Sequence, residues 1–97
     1  KYMIKKERVI EELETVMDPE IGLDIYTLGL VYDMIYTSEE LITIVMTYTT
    51  PLCPFGPMLQ ENIEAALKGL GFEKVVITLT FDPPWEPPEN LREMMGV

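Results

Sequence analysis

The chain has 97 residues, a size typical of one domain, and 47% of them are hydrophobic, which argues against disorder over most of its length. Its formal charge is −10, from seventeen Asp and Glu against seven Lys and Arg, which argues against binding to nucleic acid or anionic lipid. There is no histidine and one cysteine, so the sequence excludes imidazole-based catalysis, histidine zinc sites and an internal disulfide.

We expect a single domain over residues 1–97, located in the cytoplasm. A lone cysteine is typical of a protein from a reducing compartment. The start of the sequence does not resemble a signal peptide, and no apolar run has the length needed to span a bilayer.

The first predicted element is an amphipathic helix over residues 3–17. Apolar side chains recur there at helical spacing, and Pro19 disfavours helical backbone at Asp18, which should end the helix. The apolar residues are Val9, Ile10, Leu13, Val16 and Met17.

Two strands follow a loop over residues 18–30, whose apolar side chains we expect to pack on the rest of the domain. The strands cover residues 31–36 and 41–50, and a polar turn of hairpin length joins them. The second strand alternates, so one side should face the helices and the other a more exposed surface. The first side carries Ile42, Ile44, Met46 and Tyr48, and the second carries Thr43, Val45, Thr47 and Thr49.

A second amphipathic helix and a third strand complete the predicted core. Proline is well tolerated in the first turn of a helix, so this helix should begin just after Cys53. Gly69 and Gly71 should end it. Residues 75–81 then alternate as a strand.

The last predicted elements are an irregular proline-rich segment, residues 82–88, and a short closing helix over residues 89–95. The order is therefore α-β-β-α-β-α. The second strand, the second helix and the third strand should form a right-handed crossover with those two strands parallel. The sequence predicts an α+β two-layer sandwich, with a three-stranded mixed sheet and helices on one face.

Cys53 lies at the predicted junction of a strand and a helix N-terminus. Backbone N–H groups and the helix dipole stabilise a thiolate there, which is the form that binds soft metals. Thr49 and Thr50 place hydroxyl groups nearby for hydrogen bonds to sulfur or to a bound anion. However, the acidic sequence offers no neighbouring cation, and a lone cysteine is often a small buried hydrophobe. The residues alone leave both interpretations open.

Four blocks of sequence occur in one order along the chain. They are residues 18–22 (DPEIG), 27–32 (TLGLVY), 46–54 (MTYTTPLCP) and 82–85 (DPPW). In this order and spacing they resemble the family of small iron–sulfur (metal–sulfur) cluster assembly domains, which includes PaaD-like and SufT-like proteins. The resemblance covers nearly the whole chain. It implies a two-layer α+β fold and a role in the assembly, carriage or delivery of iron–sulfur clusters.

The resemblance places the family's site at Asp18, Glu20, Thr49, Thr50 and Cys53. It implies that Cys53, Asp18 and Glu20 contact metal, and that Thr49 and Thr50 lie beside a bound cluster. Asp18 has an alternative of equal weight, in which its carboxylate only satisfies backbone N–H groups of its own turn. Residues 86–90 depart from the family's usual pattern, which leaves the partner contacts of the C-terminal segment open.

One chain offers one thiolate, whereas an iron–sulfur cluster usually takes four. A bound cluster should therefore be labile and bridge two chains of a homodimer through a pair of Cys53 residues. Our first hypothesis is a cluster assembly factor or transient carrier, with client apoproteins and other assembly proteins as partners. The alternative is an adaptor that binds no cluster and links the maturation machinery to client enzymes. A thiol enzyme ranks last, because no histidine base is available.

Overall fold

The structure is a computed structural model that describes residues 4–38, 40–50 and 54–89. Two helices and five strands lie in this part of the chain. In chain order they are α1 (Lys6–Leu13), β1 (Met17–Asp18), β2 (Leu23–Asp24), β3 (Val31–Tyr36), β4 (Leu41–Met46), α2 (Gly56–Leu70) and β5 (Lys74–Leu79).

The main sheet has three strands in the order β3-β4-β5, with β4 in the centre. β3 pairs antiparallel with β4, because a short turn joins them. β5 pairs parallel with β4, because α2 connects these two strands as a crossover. The α+β class and the three-stranded mixed sheet predicted from the sequence are therefore confirmed.

One hydrophobic cluster holds both helices against one face of this sheet. The predicted inner side of β4 is fully buried from Ile42 to Met46, and Tyr48 is 8% exposed. Each buried side chain of this size contributes roughly 1.5–3 kcal/mol relative to leaving it in water. The helices supply Val9, Leu13, Leu59, Ile63 and Leu67 to the same cluster. On the opposite face of the sheet, Thr43 and Val45 are only half-buried.

The first helix is shorter than the expected span of residues 3–17. It ends at Leu13, after which the backbone tightens: the N–H groups of Thr15 and Val16 bond carbonyl groups three residues earlier. Val16 stays in the core at 4% exposure, which explains why the apolar spacing continues past the helix end. Met17, which was expected to lie in this helix, instead pairs with Asp24 in the β1–β2 hairpin, a pair of strands that the sequence prediction did not include.

The second predicted strand is also shorter, ending at Met46 instead of residue 50. The N–H of Thr47 donates to the carbonyl oxygen of Leu30 at 2.8 Å, outside the sheet. Thr47 is fully buried, so its assignment to the more exposed side of the strand was wrong. The alternation of apolar and polar residues continues past the point at which the chain leaves the sheet.

The second helix begins at Gly56, two positions beyond the expected start just after Cys53, and Pro57 lies in its first turn. Gly71 ends the helix with a φ of 124°, a backbone conformation that side chains with a Cβ rarely adopt. Gly69, which was expected to share this role, lies within the helix.

The proline-rich segment after β5 is irregular, as predicted, and two long-range hydrogen bonds hold it. Tyr32 donates its hydroxyl to the carbonyl oxygen of Pro83 at 2.8 Å, and Trp85 donates its indole N–H to that of Leu28 at 2.7 Å. The indole is half-buried against the core. Apart from Glu89, the expected closing helix over residues 89–95 lies outside the described residues. Within the described residues, neither helix has the length and apolar character needed to cross a membrane.

Candidate functional site

The first part of the predicted site is a tight turn built on Asp18. The Oδ1 atom of Asp18 accepts the backbone N–H of Glu20 at 2.8 Å and, more weakly, that of Ile21 at 3.4 Å. The N–H of Gly22 donates to the Asp18 carbonyl oxygen at 2.7 Å, and Gly22 has a φ of 79° that favours glycine. Asp-Pro-Glu-Ile-Gly is therefore a self-supporting turn between β1 and β2.

Asp18 is buried, with an exposure of 1%. Its Oδ1 atom holds the turn, so the structural role considered for this residue is present. Its Oδ2 atom is also buried and has no hydrogen-bond partner among the described residues. A buried carboxylate oxygen without a partner is costly, because it has lost its water and gained nothing in exchange. This oxygen is the part of Asp18 that the turn does not use.

Glu20 lies at the surface of the same turn. Its backbone N–H is bound to Asp18, so the turn fixes the position from which its side chain extends. The structure thus brings two of the predicted metal-binding residues into one turn, one buried and one exposed.

A chain of backbone hydrogen bonds connects this hairpin to the end of β4. Val16 accepts from Ile25 at 2.9 Å, Ile25 accepts from Leu30 at 3.0 Å, and Leu30 accepts from Thr47 at 2.8 Å. Asp18 lies two positions after Val16, and Thr49 lies two positions after Thr47. The predicted site has an acidic part, which begins at Asp18, and a threonine part, which begins at Thr49. Both parts therefore follow directly from the same framework of backbone hydrogen bonds.

Thr49 and Thr50 are half-buried and follow Tyr48 directly. Cys53 lies outside the described residues. Because α2 begins at Gly56, with Phe55 as the residue before its first turn, the helix N-terminus is further along the chain from Cys53 than expected.

Three residues that were not assigned to the site connect the two ends of the segment that contains Cys53. Gly56 lies against the ring of Tyr48: a Cβ atom added at Gly56 would lie 2.6 Å from Tyr48 Cε2 and Oη. Gln60, one turn further along α2, donates a hydrogen bond to the Tyr48 hydroxyl. The sequence signal that could have indicated this contact is a glycine directly before a proline at the start of a helix, because glycine permits a close approach between chain segments.

Other metal ligands are sparse around this pair of carboxylates. Residues 4–38, 40–50 and 54–89 hold no group of three or more Cys, Asp or Glu side chains arranged to bind a metal ion. Asp18 and Glu20 are thus a pair of carboxylates in one turn and not a complete set of ligands by themselves.

This chain is similar to known proteins that are named for iron–sulfur cluster assembly or maturation. The family model for iron–sulfur cluster assembly proteins matches residues 6–79, a range that includes all five predicted site residues. The Fe-S protein maturation auxiliary factor YitW of Bacillus subtilis is 40% identical over 81 residues, which cover 82% of this chain and 79% of that protein. The Fe-S protein maturation auxiliary factor SufT of Staphylococcus aureus is 35% identical over 71 residues, which cover 72% of this chain and 81% of that protein.

The fold has a close counterpart among solved structures. A conserved hypothetical protein from Thermotoga maritima superposes with a TM-score of 0.85 at 41% sequence identity. The superposition covers 100% of this chain and 99% of that chain.

Proposed function

The chain belongs to the family of iron–sulfur cluster assembly proteins, and we propose that it works in iron–sulfur protein maturation as a transient cluster carrier that uses Cys53. Two relatives named as Fe-S protein maturation auxiliary factors support the general role. The cluster is cargo in this proposal, received from assembly proteins and passed to client apoproteins. The protein catalyses no reaction of its own.

The observation that carries the proposal is the unused oxygen of Asp18. Its Oδ2 atom is buried and unpartnered among the described residues, while Oδ1 holds the turn. An iron ion bound to Oδ2 would replace the missing hydrogen-bond partner, and carboxylate oxygen is a suitable ligand for iron. Glu20 leaves the same turn at the surface and offers a second carboxylate.

Cys53 would supply the thiolate ligand. A single thiolate and two carboxylates bind a cluster weakly compared with the usual four thiolates, which suits a protein that must release it. We propose that two chains share one cluster through their Cys53 residues, with Thr49 and Thr50 offering hydroxyl groups to the cluster. A free thiol of this kind persists in a reducing compartment, so we place this work in the cytoplasm.

The second candidate is an adaptor that binds no cluster and brings client enzymes to the maturation machinery. It is favoured by one observation: the described residues hold no group of three metal-binding side chains. In this case Asp18 would serve only to hold the turn that presents Glu20 to a protein partner.

Anaerobic incubation of the pure protein with iron and sulfide separates the two candidates. The carrier hypothesis predicts that the protein binds a cluster, seen as visible absorption that elutes with the protein in chromatography. The Cys53→Ala variant should lack this absorption. The adaptor predicts no bound iron in either protein, with binding to an iron–sulfur client apoprotein retained in both. The second result would contradict the carrier function.

A further inference from the structure

Within the described part of the chain, the strand β5 has one open edge, because it is hydrogen-bonded to β4 alone. Lys74 donates its N–H to the carbonyl oxygen of Glu40, and Thr80 donates to that of Met46. Alternate residues of a strand direct their backbone groups to opposite sides, so the even-numbered residues face β4. The N–H and C=O groups that point away from the sheet belong to Val75, Ile77, Leu79 and Phe81.

Proteins usually prevent an edge strand from pairing with another strand by prolines, bulges or charges, and β5 has one of these features, the charge of Lys74 at its first position. Residues 74–82 contain no proline, and the register with β4 is continuous from Lys74 to Leu79. Lys74 and Asp82 carry the charges of this stretch, one at each end. The β3 edge differs, because a bulge interrupts it between Val31 and Asp33.

Two large apolar side chains are exposed along the open edge. Leu79 is 37% exposed and Phe81 is 40% exposed. Leu79 pairs with buried Met46, and Phe81 makes an edge contact with the ring of Tyr48, so both lie on the side of the sheet that faces the core. They reach solvent because the core does not cover this end of β5.

We propose that β5 is a self-association surface, on which two copies of the chain pair their β5 strands antiparallel. The main sheets then join into one of six strands, three from each copy. The two-fold axis stands perpendicular to the sheet at Thr78, so the helices of both copies lie on one face.

A second copy fits because this register makes the edge complementary to itself. With Thr78 opposite its own copy, Ile77 lies opposite Leu79 and Val75 lies opposite Phe81, so each exposed apolar side chain gains an apolar neighbour. The same register places Lys74 opposite Asp82, which pairs the two opposite charges of this stretch in both halves of the dimer. Both residues are exposed, Lys74 as the first residue of β5 and Asp82 three positions after its last. The inference is independent of the proposed function, since this surface is formed by β5 and does not involve Cys53 or a bound cluster.

Disulfide trapping tests the register in a Cys53→Ala background. Thr78 directs its backbone groups toward β4, so Thr78 and its copy form a non-hydrogen-bonded pair with Cα atoms about 4.5 Å apart. That separation lies within the range of roughly 4.4–6.8 Å that a disulfide requires. Thr78→Cys should give a covalent dimer with oxidised glutathione, whereas Thr43→Cys, on the central strand and the same face, should stay monomeric. A failure of Thr78→Cys to form the dimer, or equal yields from both variants, would overturn the proposal.

Sedimentation velocity tests the surface without an added cysteine. At moderate salt, which screens the repulsion between two acidic chains, the wild type should show a concentration-dependent dimer. A charge placed on an edge strand opposes pairing, so Leu79→Lys should shift the protein to monomer. Ile35→Lys makes the same change at a residue of β3 that is 45% exposed, and it should leave the dimer intact. A monomeric wild type at all concentrations, or equal effects of the two variants, would contradict the dimer. Iron loading measured on the same samples reports separately on the carrier function.

Discussion

Gln60 donates a hydrogen bond of 2.7 Å from its side-chain amide to the phenolic oxygen of Tyr48. Tyr48 lies two residues after the end of β4, and Gln60 lies in α2, whose first residue, Gly56, packs against the same ring. The segment over residues 49–55, which contains Cys53, therefore begins and ends at one contact. This contact limits how far the two ends of the segment can separate.

The close approach of Gly56 to Tyr48 predicts an asymmetry between two glycines of α2. Gly56→Ala should lower the free energy of unfolding by about 1–3 kcal/mol, because the new Cβ overlaps the tyrosine ring. Gly69→Ala meets no atom within 4 Å and should raise it by up to about 1 kcal/mol, since alanine favours helix. Urea unfolding of both variants checks this, and equal effects would contradict the contact.

The Asp18→Asn variant distinguishes the roles of the two oxygens of this buried side chain. Asparagine keeps an oxygen that can accept the N–H of Glu20, so the turn and the free energy of unfolding should change little. It replaces the carboxylate, so the iron bound per chain after anaerobic reconstitution should fall several-fold.

Asp24→Asn is the matched control, because the carboxylate of Asp24 also accepts a backbone N–H, that of Thr27, at 2.8 Å. It should load iron like the wild type. If Asp18→Asn also loads normally while Cys53→Ala does not, the role of Asp18 is limited to the turn.

The hydrogen bond from Trp85 to Leu28 should stabilise the fold more than the other long-range hydrogen bond of the proline-rich segment, from Tyr32 to Pro83. Trp85→Phe leaves the carbonyl oxygen of fully buried Leu28 without its donor, which should cost about 1–3 kcal/mol. Tyr32→Phe removes an exposed hydrogen bond to Pro83, whose oxygen can bond water instead, and should cost about 0.5 kcal/mol. Thermal unfolding of both variants measures the difference, and the reverse order would refute this account of the segment.

Tyr36 gives the protein a pH-dependent stability at alkaline pH. Burial raises the pKa of Tyr36, and the negative charge of Glu7 raises it further. The unfolded chain therefore releases the phenolic proton at lower pH than the folded protein. This contribution to stability is fully present below about pH 10 and is lost as pH rises through the raised pKa.

Tyr36→Phe tests this contribution. The Tyr36 hydroxyl is buried without a hydrogen-bond partner among the described residues, so its removal should leave neutral-pH stability unchanged or slightly higher. The ring contact with Phe72 is retained. Above pH 10 the variant should lose less stability than the wild type. Urea unfolding at both pH values measures this, and equal losses would show that another group is responsible.

The main sheet could be predicted from the sequence because its signals are periodic. Alternation along residues 41–46 identifies the buried side of β4, and the crossover rule makes β5 parallel to it. The hairpin of β1 and β2 could not be predicted in this way, since strands of two residues are too short to show a period. Thr47 was misassigned because the alternation continues where the backbone has already turned to bond Leu30.

The five candidate site residues stay a prediction, and their surroundings could not be derived from the sequence. The Asp-Pro-Glu-Ile-Gly pattern indicates a turn, yet only the fold distinguishes the Oδ1 atom of Asp18, which is bonded, from Oδ2, which is buried and unpartnered among the described residues. The contact of Tyr48 with Gly56 depends on how α2 packs against the sheet, which no local pattern specifies.

Transfer of a cluster to an apoprotein tests the carrier function most directly. The reconstituted protein is mixed anaerobically with an apo-ferredoxin in the presence of an iron chelator, and the cluster in the ferredoxin is followed by its visible absorption. The carrier function predicts transfer faster than from free iron and sulfide, protected from the chelator, and lost in Cys53→Ala. Transfer equal to that from free iron and sulfide, or unchanged in Cys53→Ala, would contradict it.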